Sequence, residues 1–242
     1  MKDTEKFPQY KKDDDYSYSQ GAFPTFELLI NAPDLVTEII VSDTFTDMEK
    51  LYKLCSERNV EVIVNNKLCN KLSDKENCFV IGRFKKRYRK LRRDRKHIVL
   101  VNPGNMGNLG TILRTALAFH YEDIAVIAPN ADVFNPKTVR ASMGAVFSEN
   151  ITIFKSFEEY MSEYPEHELY CFMLQSSKIL GKDVINYPSC HSLVFGNESS
   201  GLPDSFMNYG TNVIIEQSDK VDSLNITIAV GIACYEFSKG DC

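Results

Sequence analysis

Long apolar runs are missing from this chain of 242 residues. Nothing in it approaches the roughly 18 to 20 consecutive apolar residues that a membrane span needs. The start, Met1-Lys-Asp-Thr-Glu-Lys6, lacks the apolar core of a signal peptide. The expected address is cytoplasmic, with no membrane partner. Paired thiols are missing too. Cys55, Cys69, Cys78, Cys171, Cys190, Cys234 and Cys242 form no C-x-x-C, and the four histidines stand apart in sequence. That spacing speaks against a zinc site or a redox pair, so no metal is expected and the thiols read as reduced and mostly buried. No internal repeat or low-complexity segment stands out.

What is present is ordinary for a soluble globular protein: 43% hydrophobic and 25% charged residues, enough for one large domain or two modest ones. The charge is unevenly placed. Residues 83–96 hold ten basic side chains and one acid, so they carry +9 of a chain whose net is −5 and leave −14 for the remainder. An acidic body with one cationic stretch suggests a localised anionic partner. Phe84 and Tyr88 are interleaved with the charges, which points to RNA, where aromatics and arginines stack on bases. Arg83, Lys85, Lys86, Arg87, Arg89, Arg92 and Arg93 are the candidate RNA contacts. A solvated linker would carry the same pattern.

The patterning predicts four segments. Residues 1–22 are polar and mixed in charge, a flexible arm. Residues 23–82 read as a small α/β unit. It has a strand at 36–41, a helix opened by the capping box Thr46-Asp-Met-Glu49 with Met48, Leu51, Tyr52 and Cys55 on one face, and strands at 60–64 and 78–81. Residues 83–96 form a basic linker. Residues 97–242 alternate strands (98–101, 123–128, 151–154, 169–174, 192–195, 212–215) with helices, among them one at 108–119. Asn135-Pro136 and Ser156-Phe-Glu-Glu159 open two more. Apolar strands alternating with helices indicate a mostly parallel sheet with helices on both faces. The last helix, 224–237, is apolar nearly all round and must be covered on more than one side, by a subunit interface for example.

Three separated segments carry the chemistry: Asn105-Met-Gly-Asn-Leu-Gly-Thr-Ile-Leu-Arg114, Val194-Phe-Gly-Asn-Glu-Ser-Ser-Gly-Leu-Pro203 and Ser223-Leu-Asn-Ile-Thr227. Strand, glycine turn and helix is an architecture that binds anionic or nucleotide ligands. Gly104, Gly107 and Gly110 are spaced G-x-x-G-x-x-G, neither a dinucleotide fingerprint nor a P-loop, which counts against a nucleotide-using oxidoreductase. Glu198 follows a strand end, where open α/β sheets bind ligands. Asp222 or Ser223 reads as a helix cap, which leaves Asn225 in the first turn unexplained.

These segments, with Arg140-Ala-Ser-Met-Gly-Ala-Val-Phe147 between them, resemble the motifs of the SPOUT-class RNA methyltransferases, the TrmH/SpoU group of ribose 2′-O-methyltransferases. The resemblance covers 98–237 well. The unit at 23–82 is similar, less specifically, to that family's ribosomal-protein-like substrate-binding domain. The resemblance implies a C-terminal trefoil knot, a homodimer and S-adenosylmethionine held largely by backbone groups, with Gly196, Ile215 and Leu224 touching it. Asn108, Arg114, Glu198, Ser223 and Asn225 match the catalytic-site positions. Two departures stand out. Ile215-Glu216-Gln217 replaces the usual Ile-Pro-Met, and His120 stands where a glycine commonly ends the first helix, so a local change is expected there.

The implied reaction moves a methyl group from the sulfonium of S-adenosylmethionine to a ribose 2′-hydroxyl of RNA, ribosomal RNA favoured over transfer RNA. Arg114 is the family's proton acceptor, yet a guanidinium titrates above about 12 and ordinarily only donates hydrogen bonds. The expectation is narrower: Arg114 fixes the phosphate beside the target ribose. The competing readings are a non-catalytic RNA-binding scaffold of the same fold and methylation of a base.

Overall fold

The computed structural model describes residues 7–73, 76–184 and 188–241. The chain divides into two units, one built from residues up to Arg87 with Asp132–Ser148, the other from Tyr88–Ala131 with Glu149 onward.

The first unit runs β1 (Tyr16–Gln20), α1 (Ala22–Asn31), β2 (Val36–Val41), α2 (Met48–Glu57), β3 (Glu61–Val64), α3 (Asn66–Leu72) and β4 (Val80–Lys85). Its sheet has the order β1-β4-β2-β3, with β2 and β3 parallel and the other pairs antiparallel. Successive side chains of β2 go to opposite faces, as a strand requires. Ile39 and Val41 join Phe26, Leu29, Leu51 and Cys55, while Ile40 joins Tyr18, Leu68, Leu72 and Ile81.

The second unit follows with β5 (His97–Val101), α4 (Met106–Ala118) and β6 (Asp123–Ile127). The chain then makes α5 (Pro136–Ala141), which packs in the first unit, where Ser17 Oγ donates to the Phe134 carbonyl and Arg140 reaches Gln20 Oε1 at 2.7 Å. It returns as β7 (Asn150–Phe154), α6 (Phe157–Glu163), β8 (Glu168–Phe172), β9 (His191–Phe195), β10 (Thr211–Val213) and α7 (Ile226–Ser238). These strands make one six-stranded parallel sheet, β10-β8-β9-β5-β6-β7. Every residue of β5, β6 and β9 is buried, so the α/β class expected from the apolar strands holds. One face packs on α6 through Val99, Ala125, Phe157, Tyr160 and Val194. On α4, Leu109, Ile112, Leu113 and Ala116 are buried, and α4 packs against α7. From β5 the chain winds one way to β6 and β7, then continues on the other side as β8, β9 and β10. The reversal between β5 and β9 is the place where such sheets bind ligands.

Several expectations need correction. Residues 1–22 are no free arm: Tyr16–Gln20 pairs with β4, and Phe7 and Tyr18 are buried. Residues 1–6 lie outside the described residues. The stretch 83–96 is no bare linker. Arg83–Lys85 completes β4 with Phe84 buried, and Arg89 and Leu91 are tied to the second unit by Arg89 N–Ile151 O at 3.1 Å and burial of Leu91. The capping box at Thr46 does not form; the helix is entered through Asp47, whose side chain caps nothing. On α2, Leu51 and Cys55 are buried, but Tyr52 is exposed. Ser156 does cap α6, accepting from Glu159 N. His120 itself ends α4 where a glycine commonly would. It adopts the left-handed conformation itself, at φ +61°, while Tyr121 N closes the helix end on Ala116 O at 2.9 Å. The last helix starts at Ile226, and Ile228, Ile232 and Tyr235 stand exposed along one stripe.

Candidate active site

Two neighbouring strands of the parallel sheet end in glycine turns. After β5, Gly104 leads to Asn105, whose Oδ1 accepts from Gly107 N at 2.8 Å and Asn108 N at 3.0 Å and so caps α4. After β9 the chain doubles back. Asn197 N donates to Gly201 O at 3.1 Å, and Gly201 N returns the bond to Asn197 O at 2.9 Å. A Cβ on Gly196 would stand 2.0 Å from the Gly201 carbonyl carbon, so only glycine fits the base of this loop.

Glu198 ties the two turns together. Its carboxylate accepts from Gly104 N at 3.0 Å, Asn105 N at 3.1 Å and Asn108 Nδ2 at 3.4 Å. Partial burial raises the pKa of this carboxyl, but the backbone donors of Gly104, Glu198 itself and Asn105, with Asn108, outweigh that and hold it below its ordinary value. Asn197 supports the arrangement: its Nδ2 donates to Asn102 O at 2.8 Å, and its Oδ1 accepts from Ser199 N at 2.9 Å. The sequence singled out Glu198 and Asn108 but gave Asn197 and Asn105 no role; the Asn-Glu pair after a strand end and the Asn before a helix were the available signals.

A cavity of about 220 Å³ opens beside this loop. Stacked Phe172 and Phe195 rings, 4.5 Å apart, end β8 and β9 on its lining. The loop 196–202, the segment 213–217 and the entry to α7 complete it, so Gly196, Glu198, Ile215, Ser223 and Leu224 all face one space. Two predicted site residues are placed differently. Asn225, not Asp222 or Ser223, caps α7, accepting from Thr227 N at 2.9 Å and from Thr227 Oγ1 at 2.8 Å, so capping explains the residue that the sequence left unexplained. Arg114 does not line the cavity. It is exposed on α4, on the stripe of Gly107 and Thr111, and its guanidinium has no ion pair among the described residues. Glu216, the first departure from the usual Ile-Pro-Met, points to Lys182 at 2.7 Å, while Gln217 lines the cavity.

The cationic stretch is largely engaged within the chain. Arg83 lies 3.6 Å from Glu38 and over the Tyr16 ring at 4.3 Å. Lys86 donates to Lys12 O at 2.7 Å, and Arg87 pairs with Asp34. Arg92 grips fully buried Asp123 at 2.6 Å and also Glu122 at 2.9 Å, and Arg93 reaches Glu166 at 3.4 Å. Arg89 gives both backbone groups to β7, through Ile151 O and Thr152 Oγ1. Lys85 stands exposed, as do Lys90 and Arg95, which were not singled out.

Three of the four histidines, His97, His167 and His191, scattered in sequence, come together at the other end of the sheet. His97 and His167 have ring centroids 4.1 Å apart. His97 Nε2 lies 2.8 Å from Arg92 O, which can only accept, so Nδ1 accepts from Tyr160 Oη at 2.9 Å. Burial, then the neighbouring His167, pushes His97 down to about 4. No group of three or more metal-ligating side chains occurs among the described residues.

A parallel sheet whose two adjacent glycine turns are locked by one carboxylate beside an apolar cavity has known counterparts. The family model described as SpoU rRNA Methylase family matches residues 95–235. An uncharacterized tRNA/rRNA methyltransferase of Synechocystis sp. is 32% identical over 142 residues, 57% of this chain and 51% of that protein. The chain thus spans about half of that relative's length. The 23S rRNA (adenosine(1067)-2′-O)-methyltransferase of Streptomyces azureus is 26% identical over 209 residues, 82% of this chain and 77% of its own. The crystal structure of an AdoMet-bound rRNA methyltransferase from Sinorhizobium meliloti superposes with a TM-score of 0.76 at 27% identity, covering 93% of this chain and 87% of that one. Matched over more than half its length, from just before β5 into α7, this chain belongs to the SpoU rRNA Methylase family.

Proposed function

We propose that the protein transfers a methyl group from S-adenosylmethionine to a ribose 2′-hydroxyl of RNA, ribosomal RNA before transfer RNA. The observation that carries this reading is the shared cavity. Segments far apart in sequence, 196–202, 213–217 and 223–226, line it beside an apolar floor, and Gly196 removes the side chain that would block close backbone approach. Such a site suits a ligand held by main-chain groups on one side and apolar surface on the other. The Synechocystis and Streptomyces azureus relatives act on the same substrate class by their descriptions, and the Sinorhizobium meliloti enzyme carries AdoMet.

The bound cofactor supplies an already electrophilic methyl group; the chain must align the acceptor and help its proton leave. Gly196, Ile215 and Leu224 contact the cofactor in this reading. Glu198 and Asn108 fix the loop that faces it, and Ser223 adds a hydroxyl to the same space. Asn225 acts through position, setting where α7 begins. Arg114 only donates hydrogen bonds, so its role is to grip the phosphate next to the target ribose in two-pronged fashion. The stripe Ile228, Ile232 and Tyr235 on α7 supports a homodimer, whose second copy would cover it. The path of α7 back from edge strand β10 to α4 and β9 supports the knot that the family resemblance implies. The cytoplasm is the proposed place of action.

The test is methylation of total RNA with labelled cofactor, followed by mapping of alkali-resistant positions, because a 2′-O-methyl blocks cleavage at that sugar. Label in a base, or RNA binding with no label transferred, overturns the reading. Arg114→Lys is expected to lower turnover by roughly a hundredfold, since a point charge replaces a planar fork. Full turnover at unchanged RNA affinity would remove the need for that fork.

A further inference from the structure

We propose that Asn102 is a positioning residue for methyl transfer: its left-handed backbone aims its carbonyl at Asn197 and so holds the loop 196–202 in place. The assignment rests on reading that loop as an edge of the methyl-transfer site.

Among the described residues, Asn59, Asn77, Asn102, His120 and Met143 have a positive φ without being glycine. Of these only Asn102, at φ +53°, follows directly on a strand, the end of β5. Asparagine tolerates this region better than most side chains. The residue before a proline, however, is pushed toward extended backbone, and Pro103 comes next. By local preference Asn102 would continue β5. Tertiary bonds hold it elsewhere.

Those bonds show what the turn achieves. In a strand the N–H and C=O of one residue point to the same side. At Asn102 they part. The N–H donates to Ile127 O on β6 at 3.1 Å, as in a continuing ladder. The carbonyl accepts from Asn197 Nδ2 at 2.8 Å, after β9, the strand on the opposite side of β5. The turn after β6 is fastened to the same place: Asn102 Nδ2 donates to Pro129 O at 3.4 Å, and Ala131 N donates to Pro103 O at 2.6 Å. Three loops at the carboxyl end of the sheet thus meet at Asn102. Just beyond it, Gly104 N and Asn105 N hold Glu198. Consecutive residues of the loop are therefore anchored on one short segment, Asn197 on the Asn102 carbonyl and Glu198 on the two amides that follow. An extended Asn102 would turn its carbonyl away and redirect residues 103–105, so both anchors would slip together. Backbone held against its preference beside a reactive centre is a known place to store positioning.

A double-mutant cycle on the full chain tests this, reading both calorimetric affinity for S-adenosylhomocysteine and single-turnover methylation of total RNA. Asn102→Ala is expected to lower the affinity about tenfold and the rate about thirtyfold. Asn102→Gly keeps the carbonyl and takes a positive φ without steric cost, so both readouts recover to within about threefold of the natural chain. Asn197→Ala removes the same bond from its other end. On that background Asn102→Ala should add less than about twofold, whereas independent structural losses multiply. If Asn102→Ala does not fold, Asn197→Ala carries the test, and normal affinity and rate there overturn the assignment. It is equally overturned by an Asn102→Ala chain that behaves normally, by Asn102→Gly faring no better than Asn102→Ala, or by losses that multiply; each of these leaves the methyl-transfer reading standing. A natural chain that neither binds S-adenosylhomocysteine nor transfers label overturns both.

Discussion

At the amino ends of β5, β6 and β9, the polar groups of the parallel sheet are buried and saturated. Asp123 is fully buried and takes Arg92 N, Arg92 Nε and Asn150 Nδ2 at 2.8, 2.9 and 3.1 Å. His97, Tyr160, Ser192 and His167 form a line of close polar contacts that ends on the carbonyls of Arg92 and Arg93. At the carboxyl ends of β5 and β9 the polar groups are also ordered by hydrogen bonds, but there the main chain is being shaped and a cavity is left open beside it. A saturated buried network makes one packing unique, whereas a site needs groups held in place with capacity to spare. The contrast predicts that substitutions at the amino end change stability, and those at the carboxyl end change binding.

The largest expected effect breaks the carboxyl end. Gly196→Ala places a methyl group where the Gly201 and Leu202 backbone now lies, so the loop 196–202 must open. Affinity for S-adenosylhomocysteine is expected to fall more than about a hundredfold, with a stability loss on the order of 3 kcal/mol. Ser192→Ala is the control at the opposite end of the same strand. It removes a buried hydroxyl that meets Tyr160 at 2.6 Å and His167 at 2.8 Å. A stability loss of about 1–3 kcal/mol with affinity within twofold is expected. Calorimetric binding and urea unfolding of both variants decide it; a Gly196→Ala chain that binds normally erases the contrast.

The second effect sharpens the amino end through pH. His97 is depressed from 6.5 to about 4, so between those values the unfolded chain binds a proton that the folded chain refuses. Stability therefore falls as pH drops through this window, by up to about 3 kcal/mol from this residue. Carboxylates titrate in the same range, so the measurement is a difference. His97→Gln keeps a donor for Arg92 O but carries no titration, and its unfolding free energy should decline less steeply from pH 6.5 to 4. Parallel curves would show that burial of His97 is not what the acid limb reports.

The two ends were unequally legible in the sequence. At the carboxyl end the signals are local: strand, glycine, Asn-Glu, then helix, with spacing that backbone geometry dictates. Gly196 and Glu198 could be picked out because few residue types serve there. Asn225 was less legible, because Ser223 is an equally good cap by type and only the helix start at Ile226 decides between them. At the amino end the partners are contributed by segments 92–97, 160–167 and 192, and no sequence pattern announces that His97 and His167 will lie ring on ring. The cationic stretch failed for a related reason. Charge density along the chain was read correctly, but whether an arginine faces a buried Asp123 or the solvent is a tertiary fact.

The smallest expected effect follows from that last distinction. If RNA meets this stretch, the cations that serve it are Lys85, Lys90 and Arg95, whose exposed side chains have no internal partner among the described residues. Removing one cation from a phosphate should weaken RNA binding a few-fold at moderate salt and reduce the slope of log affinity against log salt by about 0.7–0.9. Lys90→Ala with Arg95→Ala should therefore lower the slope and leave unfolding unchanged, because both side chains lie in water. Arg92→Ala should do the reverse. It strips buried Asp123 of its bidentate partner, so thermal stability drops while the salt slope holds. A salt slope that responds to Arg92 as strongly as to Lys90 and Arg95 would mean that the ion pairs open when RNA arrives, and that the amino end of the sheet is less closed than its hydrogen bonds imply.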